Sequence, residues 1–167
     1  KVHDSILIWW QEFPLNGDFA AFKNNLITDE KFPLTEWVFQ IDADEELSET
    51  MINGLHDLLA KNNEIDLFAV PRVNIVPDVP GSYIIEQRWN MDNMEVDGRH
   101  VPVINFPDAQ DRIFKLNKDF KWVNKVHEKV TGFKSFAFLP FTDTTWALRH
   151  IKSFERQKKQ NEFYSTL

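Results

Sequence analysis

The chain has no cysteine in 167 residues. That removes disulfides and thiolate chemistry from consideration and fits a reducing, cytoplasmic compartment. Basic charge is also in short supply, with 19 Lys and Arg against 26 Asp and Glu, a net charge of −7. A nucleic-acid partner is therefore not expected, because such proteins usually carry a basic face. No apolar run approaches membrane-spanning length, and no secretory leader is visible. Peripheral contact with a membrane stays compatible with these absences. Internal repeats and low-complexity tracts are missing as well.

What is present is a globular composition, 43% hydrophobic and 14% aromatic, with 6 Trp and 15 Phe. A chain of this length builds one sizeable core, so residues 1–167 are read as a single domain. The chain opens on Lys1 and soon enters a strand-like run at 6–10, and is read as a piece of a longer polypeptide. Strand-like and helix-like segments alternate in the first half: a helix at 18–28 capped by Asp18, a strand at 37–41, a helix at 48–61 capped by Ser48, and a strand at 65–70. Residues 71–81 read as loop, with 73–76 able to extend the strand, and 82–107 as an excursion over a site. Strands follow at 112–116 and 145–150, with 120–123 and 125–130 as a possible hairpin. A charged helix at 153–164, capped by Ser153, closes the chain. The alternation predicts an α/β fold on a mixed, mostly parallel sheet.

The most informative segment is Trp37-Val38-Phe39-Gln40-Ile41-Asp42-Ala43-Asp44-Glu45. A buried strand gives out into three carboxylates, and in open α/β sheets ligands bind beyond the carboxyl ends of strands. In extended chain Asp42 and Asp44 point to one side, where two acids repel unless a cation lies between them. Hard oxygen ligands suit Mg²⁺ or Mn²⁺, which in turn hold diphosphates. A solvated turn with acids near a helix start explains this segment equally well. Four more clusters carry polar chemistry. Asp108 at a turn-to-strand junction suits a general base, and Arg112 beyond it suits a phosphate or carboxylate. A structural ion pair is as good an account of them. His127 and Glu128 are adjacent and so point to opposite faces of a strand. Taken singly, His127 and His150 are better explained as packed or surface residues. Lys23 has the length to reach a phosphate, although a solvated helix position is the simpler account.

Taken in order, these motifs are Asp18-Phe19-Ala20 with Lys23-Asn24, then Asp42-Ala43-Asp44-Glu45, Pro107-Asp108-x-Gln110-x-Arg112, Val126-His127-Glu128, and His150 ahead of Ser153-Phe154-Glu155. The ensemble resembles the glycosyltransferase family 2 enzymes of GT-A fold, especially bacterial and phage members that decorate glycans, over roughly residues 18–164. The resemblance implies a GT-A-like sheet with an incomplete nucleotide-binding half. It implies transfer of a sugar from a nucleotide-sugar donor to a hydroxyl of a glycan or lipid-linked acceptor, with inversion. Asp44 and His150 would bind Mn²⁺ or Mg²⁺, and Asp42 would touch the metal shell or the ribose, supported by Glu45. Asp108 would be the base on the acceptor side. Lys23, Asn24, Gln110 and Arg112 would line the donor pocket, and His127 and Glu128 would shape the acceptor or phosphate region. Two features depart from the family: Lys23-Asn24 stands where Arg-Asn is usual, and nothing before Ile6 supplies the first βαβ unit. The competing readings are a non-catalytic interaction or structural module on the same scaffold, and a metal-independent glycoside hydrolase using two carboxylates.

Overall fold

A computed structural model describes residues 12–28, 36–117, 119–125 and 128–164. The strand expected at 6–10 and His127 lie outside them. Helix α1 (Phe19–Thr28) starts where Asp18 Oδ1 accepts from the Ala21 N–H at 2.8 Å, the expected cap. Strand β1 (Trp37–Phe39) and the two-residue β2 (Glu45–Glu46) flank the acidic segment. Helix α2 (Glu49–Lys61) is capped by Ser48, whose Oγ accepts from the Met51 N–H and donates to the Thr145 carbonyl. Strand β3 (Leu67–Val70) is buried along its whole length, and Pro71 alone separates it from β4 (Arg72–Ile75).

The stretch read as an excursion is regular structure. It holds the short helix α3 (Gly81–Glu86) and the hairpin of β5 (Met91–Val96) with β6 (Arg99–Ile104). The hairpin turns at Asp97-Gly98, both at positive φ, the arrangement an Asp-Gly pair favours. Then come β7 (Gln110–Lys115), β8 (Lys121–Val123), β9 (Lys129–Thr131), β10 (Phe136–Phe138), β11 (Leu148–Ile151) and α4 (Phe154–Tyr164). The anticipated hairpin near 120–130 forms, with Trp122 opposite Val130.

The expectation of a GT-A-like, mostly parallel sheet is wrong. One sheet has the order β1-β7-β3-β10, a second β2-β11-β4-β6-β5, and β8-β9 form a ribbon. Among the described residues only β3/β10 and β4/β11 run parallel; the other six pairings are antiparallel. Helix and strand alternate only as far as β3. After that the chain makes a hairpin and inserts β7 antiparallel between β1 and β3, which no local periodicity announces. The architecture is mixed α/β with two mostly antiparallel sheets and few, short helices.

Four strands of the first sheet lie next in sequence to strands of the second. The chain crosses directly between sheets at 40–44, at Pro71, at 105–109 and at 139–147. The first three of these crossings form a polar seam, and apolar cores lie on both faces of the first sheet, with a third against the second. One core gathers Val38, Leu67, Phe114, Phe120, Trp122 and Val130; another packs α2 through Met51 against Phe68, Val70, Ile113 and Leu148. Phe114 is fully buried and stacks on Phe120, with ring centroids 3.8 Å apart. Phe114→Ala should lower unfolding free energy by about 3–5 kcal/mol. Urea titration followed by tryptophan fluorescence would measure it, and a loss below about 1 kcal/mol would contradict this packing.

Candidate functional site

The crossings open onto a cavity of about 630 Å³, within the range of small-molecule sites. Its floor is charged. Asp42, Asp44, Asp108, Asp111 and Glu128 line it, and so do Lys23, Arg72, Arg112 and Lys152. Most of these charges are already paired.

Asp42 and Asp44 do not share a side, as extended chain would require. The Glu45 N–H donates to the Asp42 carbonyl at 3.0 Å, closing a turn that sends the two carboxylates apart. Asp42 faces Arg112, with Nη2 to Oδ2 at 2.6 Å and Nη1 to Oδ1 at 3.3 Å. Burial pushes the Asp42 carboxyl up, and the hydrogen bond and charge of Arg112 more than reverse this, holding it below the usual carboxylate range. Glu45 is wholly buried, accepting from Arg112 Nη2 at 2.5 Å and from Arg72 Nη1 at 3.3 Å, while its Oε2 accepts from the Asp42 N–H. Burial works against the Arg112 charge, yet Asp42 and Glu45 outweigh it and raise its pKa. Arg112 is 2% exposed, so it positions the acids and has no charge left over for a phosphate.

Asp44 points the other way. Its Oδ2 lies 3.4 Å from His150 Nε2, 3.5 Å from Lys152 Nζ and 3.2 Å from Arg156 Nη2. Burial raises the Asp44 carboxyl, and the charges of Lys152, His150 and Arg156 bring it below its ordinary value. The expected Asp44–His150 pair is therefore brought together across 106 residues of chain. His150 comes from β11, which pairs with β2 so that His150 sits opposite Glu45.

The protonation of His150 follows from its neighbours. Burial, reinforced by the charges of Arg72 and Lys152, lowers its pKa to about 4, so the ring is neutral near pH 7. Asn74 Nδ2 faces two acceptors, Asp108 Oδ2 at 2.7 Å and the Ile104 carbonyl at 3.3 Å. Only an NH₂ group satisfies both, which turns Asn74 Oδ1 toward His150 Nδ1 at 2.7 Å. Nδ1 therefore carries the proton and Nε2 presents a lone pair to the Asp44 carboxylate. Two acceptors face each other across 3.4 Å.

That gap suits a divalent cation. Ligands at about 2.1 Å and at right angles stand about 3 Å apart. An imidazole whose far nitrogen donates to a carbonyl oxygen is the usual support for a metal ligand. Among the described residues no group of three His, Cys, Asp or Glu side chains surrounds one point. A cation here would take Asp44 and His150 from the protein and its other ligands from substrate or water, the habit of Mg²⁺ and Mn²⁺ at phosphates.

Asp108 lies in the third crossing at a φ of +34°, an uncommon conformation for a residue other than glycine. Its Oδ2 accepts from Arg72 Nε (3.0 Å), Arg72 Nη2 (2.6 Å) and Asn74 Nδ2, while Oδ1 accepts only from Gln110 Nε2 at 3.1 Å among the described residues. Asp108 lines the cavity. Gln110 thus holds Asp108 in place. Lys23 pairs with Glu128 and lies 4.2 Å from the Trp122 ring centre, and the Asn24 amide exchanges two hydrogen bonds with the Trp122 backbone. Lys23, Trp122 and Glu128 line the cavity, whereas Asn24, expected in the donor pocket, stands behind Trp122 outside the lining.

Several wall residues escaped the sequence. Arg72, Asn74, Asp111 and Lys152 sit in strands or at their ends, with no motif to mark them. The spacing of His150 and Lys152, two apart in extended chain and hence on one face, was the available signal. Burial lowers the Lys152 pKa, which Asp44 offsets only in part. Burial also raises Asp111, against a smaller pull from the Val130 N–H and from Lys23.

No protein-family model matches the chain, and no curated protein matches it.

Two outcomes follow. Arg112→Ala strands the buried Glu45 beside Asp42 and should cost about 3–5 kcal/mol of stability, read by urea unfolding. His150 binds fewer protons folded than unfolded between its folded pKa of about 4 and its unfolded value of about 6.5. Stability should therefore rise with pH across that window, and fall as pH drops from 6.5 to 4. In His150→Gln this part of the pH dependence of Tm should flatten, while the carboxylate-driven loss below pH 4 persists. An unchanged profile would contradict a depressed His150 pKa.

Proposed function

We propose that this cavity is the site of a divalent-metal-dependent transferase that moves a sugar from a nucleotide-sugar donor to a hydroxyl of a glycan or lipid-linked acceptor. The observation that carries the reading is the neutral His150 Nε2 facing the Asp44 carboxylate at 3.4 Å in a polar cavity, an imidazole and a hard oxygen donor close enough to share one cation. Asp44 and His150 would hold Mn²⁺ or Mg²⁺, which supplies Lewis-acid stabilisation to a leaving diphosphate. Lys152 and Arg156 border the same carboxylate and add positive charge for the phosphates. Asp108 Oδ1 takes the proton of the acceptor hydroxyl as that oxygen bonds to the anomeric carbon. The bond from that carbon to the diphosphate oxygen breaks on the opposite face, and a nucleoside diphosphate departs. Arg72 and Asn74 fix the base in place, so orientation supplies much of the rate.

A non-catalytic binding module is the second reading. The observation in its favour is that Lys152 and Arg156 already satisfy Asp44 without a metal. Calorimetry with Mn²⁺ and UDP or GDP separates the two, since the module should bind neither in a metal-dependent way. In the enzyme, Asp44→Asn should weaken metal-dependent nucleotide binding by about tenfold or more. Asp108→Asn should leave that affinity intact and reduce transfer by about 10²–10⁴-fold in a radiolabelled-sugar assay. Equal nucleotide affinity with and without Mn²⁺ would sink the proposal.

A further inference from the structure

One wall of the cavity is unlike the rest. Helix α4 lines it with Gln157, Gln160, Asn161 and Tyr164, spaced three and four apart on one face and all uncharged. Its charged residues Glu155, Arg156, Lys158, Lys159 and Glu162 lie outside the cavity lining, although Arg156 reaches Asp44 at 3.2 Å. The amides are locked to one another: Gln157 Nε2 donates to Asn161 Oδ1 at 2.9 Å, Asn161 Nδ2 to Tyr83 Oη at 3.0 Å, and Gln160 Nε2 to Tyr164 Oη at 3.0 Å. Lys152 Nζ donates to Gln160 Oε1 at 2.6 Å, joining this row to the charged floor. Trp89 continues the wall, braced edge-on by Tyr83 at 5.5 Å, with Asn105 beside the crossing that carries Asp108. Trp89 Nε1, Asn105 Nδ2 and Gln157 Oε1 have no hydrogen-bond partner among the described residues, and none is sealed from solvent.

We infer that this wall is the acceptor platform and that the acceptor is a neutral saccharide; the inference rests on the transferase reading above. A pyranose presents an apolar C–H face, suited to a flat indole, ringed by hydroxyls that both donate and accept. A fixed row of amides with spare donors and acceptors matches that pattern without desolvating a charge. The cations bordering this wall, Lys152 and Arg156, are already engaged by Asp44, so an acidic sugar would compete with that carboxylate and approach the other acids of the floor. A nucleobase is the other flat polar ligand. It fits less well, because Trp89 and Asn105 belong to the Asp108 side of the cavity rather than to the Asp44 side.

The test is saturation-transfer NMR of the whole chain with chitotriose, maltotriose and tri-galacturonate, run without metal or nucleotide, beside Mn²⁺–UDP calorimetry. Both neutral trisaccharides should receive saturation on ring C–H protons, and tri-galacturonate should not. Trp89→Ala and Gln157→Ala should each weaken neutral saccharide binding by about fivefold or more and leave Mn²⁺–UDP affinity unchanged. The second substitution removes no aromatic packing, so it serves if the first fails to fold. Saccharide binding unaffected by both variants, absent from wild type, or equal for tri-galacturonate would overturn the inference. So would a loss of UDP affinity in place of saccharide affinity, which would make the wall a base site. Failure of Mn²⁺–UDP binding beside intact saccharide binding would instead sink the transferase reading and leave the platform standing as a glycan-binding surface.

Discussion

A carboxylate buried at the seam between two sheets organises this molecule. Glu45 sits on the second sheet, and its side chain is out of contact with water. An isolated charge there would cost several kcal/mol, so its partners are obligatory. Arg112 reaches it from the first sheet and Arg72 from the second. Each guanidinium then grips a further acid in a crossing segment, Arg112 taking Asp42 and Arg72 taking Asp108. The result is one continuous chain, Asp42–Arg112–Glu45–Arg72–Asp108, that fastens both sheets and two of the crossings between them. Each planar fork fixes direction as well as charge, which lysine would not do.

That chain explains why Asp44 faces His150 while Asp42 is held by Arg112. Arg112 holds Asp42 back, and the turn closed onto the Asp42 carbonyl leaves Asp44 facing β11. The Glu45 backbone pairs opposite His150, so the register that delivers the imidazole is set by the same residue that anchors the arginines. The acid at the heart of the site is thus positioned by a neighbour that never contacts the cavity.

How far this was legible in the sequence depended on range. Features decided within one turn were readable: the Asp18 and Ser48 caps, and the amphipathic face that buries Met51. Asp42 and Asp44, read from the sequence as ligand-binding acids, both line the cavity, whereas Glu45 does not; His150 was paired with Asp44 through the family resemblance. Sheet direction was not readable, because the place of β7 depends on pairings with β1 and β3 that lie 40 or more positions away in the chain. The Asp97-Gly98 turn was in plain view, and alone it would have exposed an antiparallel hairpin. Arg112 was singled out as a phosphate contact, and nothing local revealed that Glu45 would occupy it. Arg72 gave no signal at all. A strand residue with no motif around it becomes informative only when two sheets meet over it.

The cavity that results is divided by charge, and the division follows from how each half is built. The seam must neutralise buried ions, so its side chains come as opposed pairs, with Asp44, His150 and Asp108 lining the cavity among them. Helix α4 stands at the rim, where water is available; it sends Arg156 to Asp44, while its cavity-lining amides satisfy one another and keep spare hydrogen-bonding atoms. A ligand spanning both halves would need an anionic, metal-tolerant end and an uncharged, hydroxylated end. A nucleotide-sugar and a saccharide meeting at Asp108 have that polarity, and neither a metal-free hydrolase nor a bare anion-binding module requires it. The contrast between the two walls supports the proposed transfer as much as the aspartate and the imidazole do.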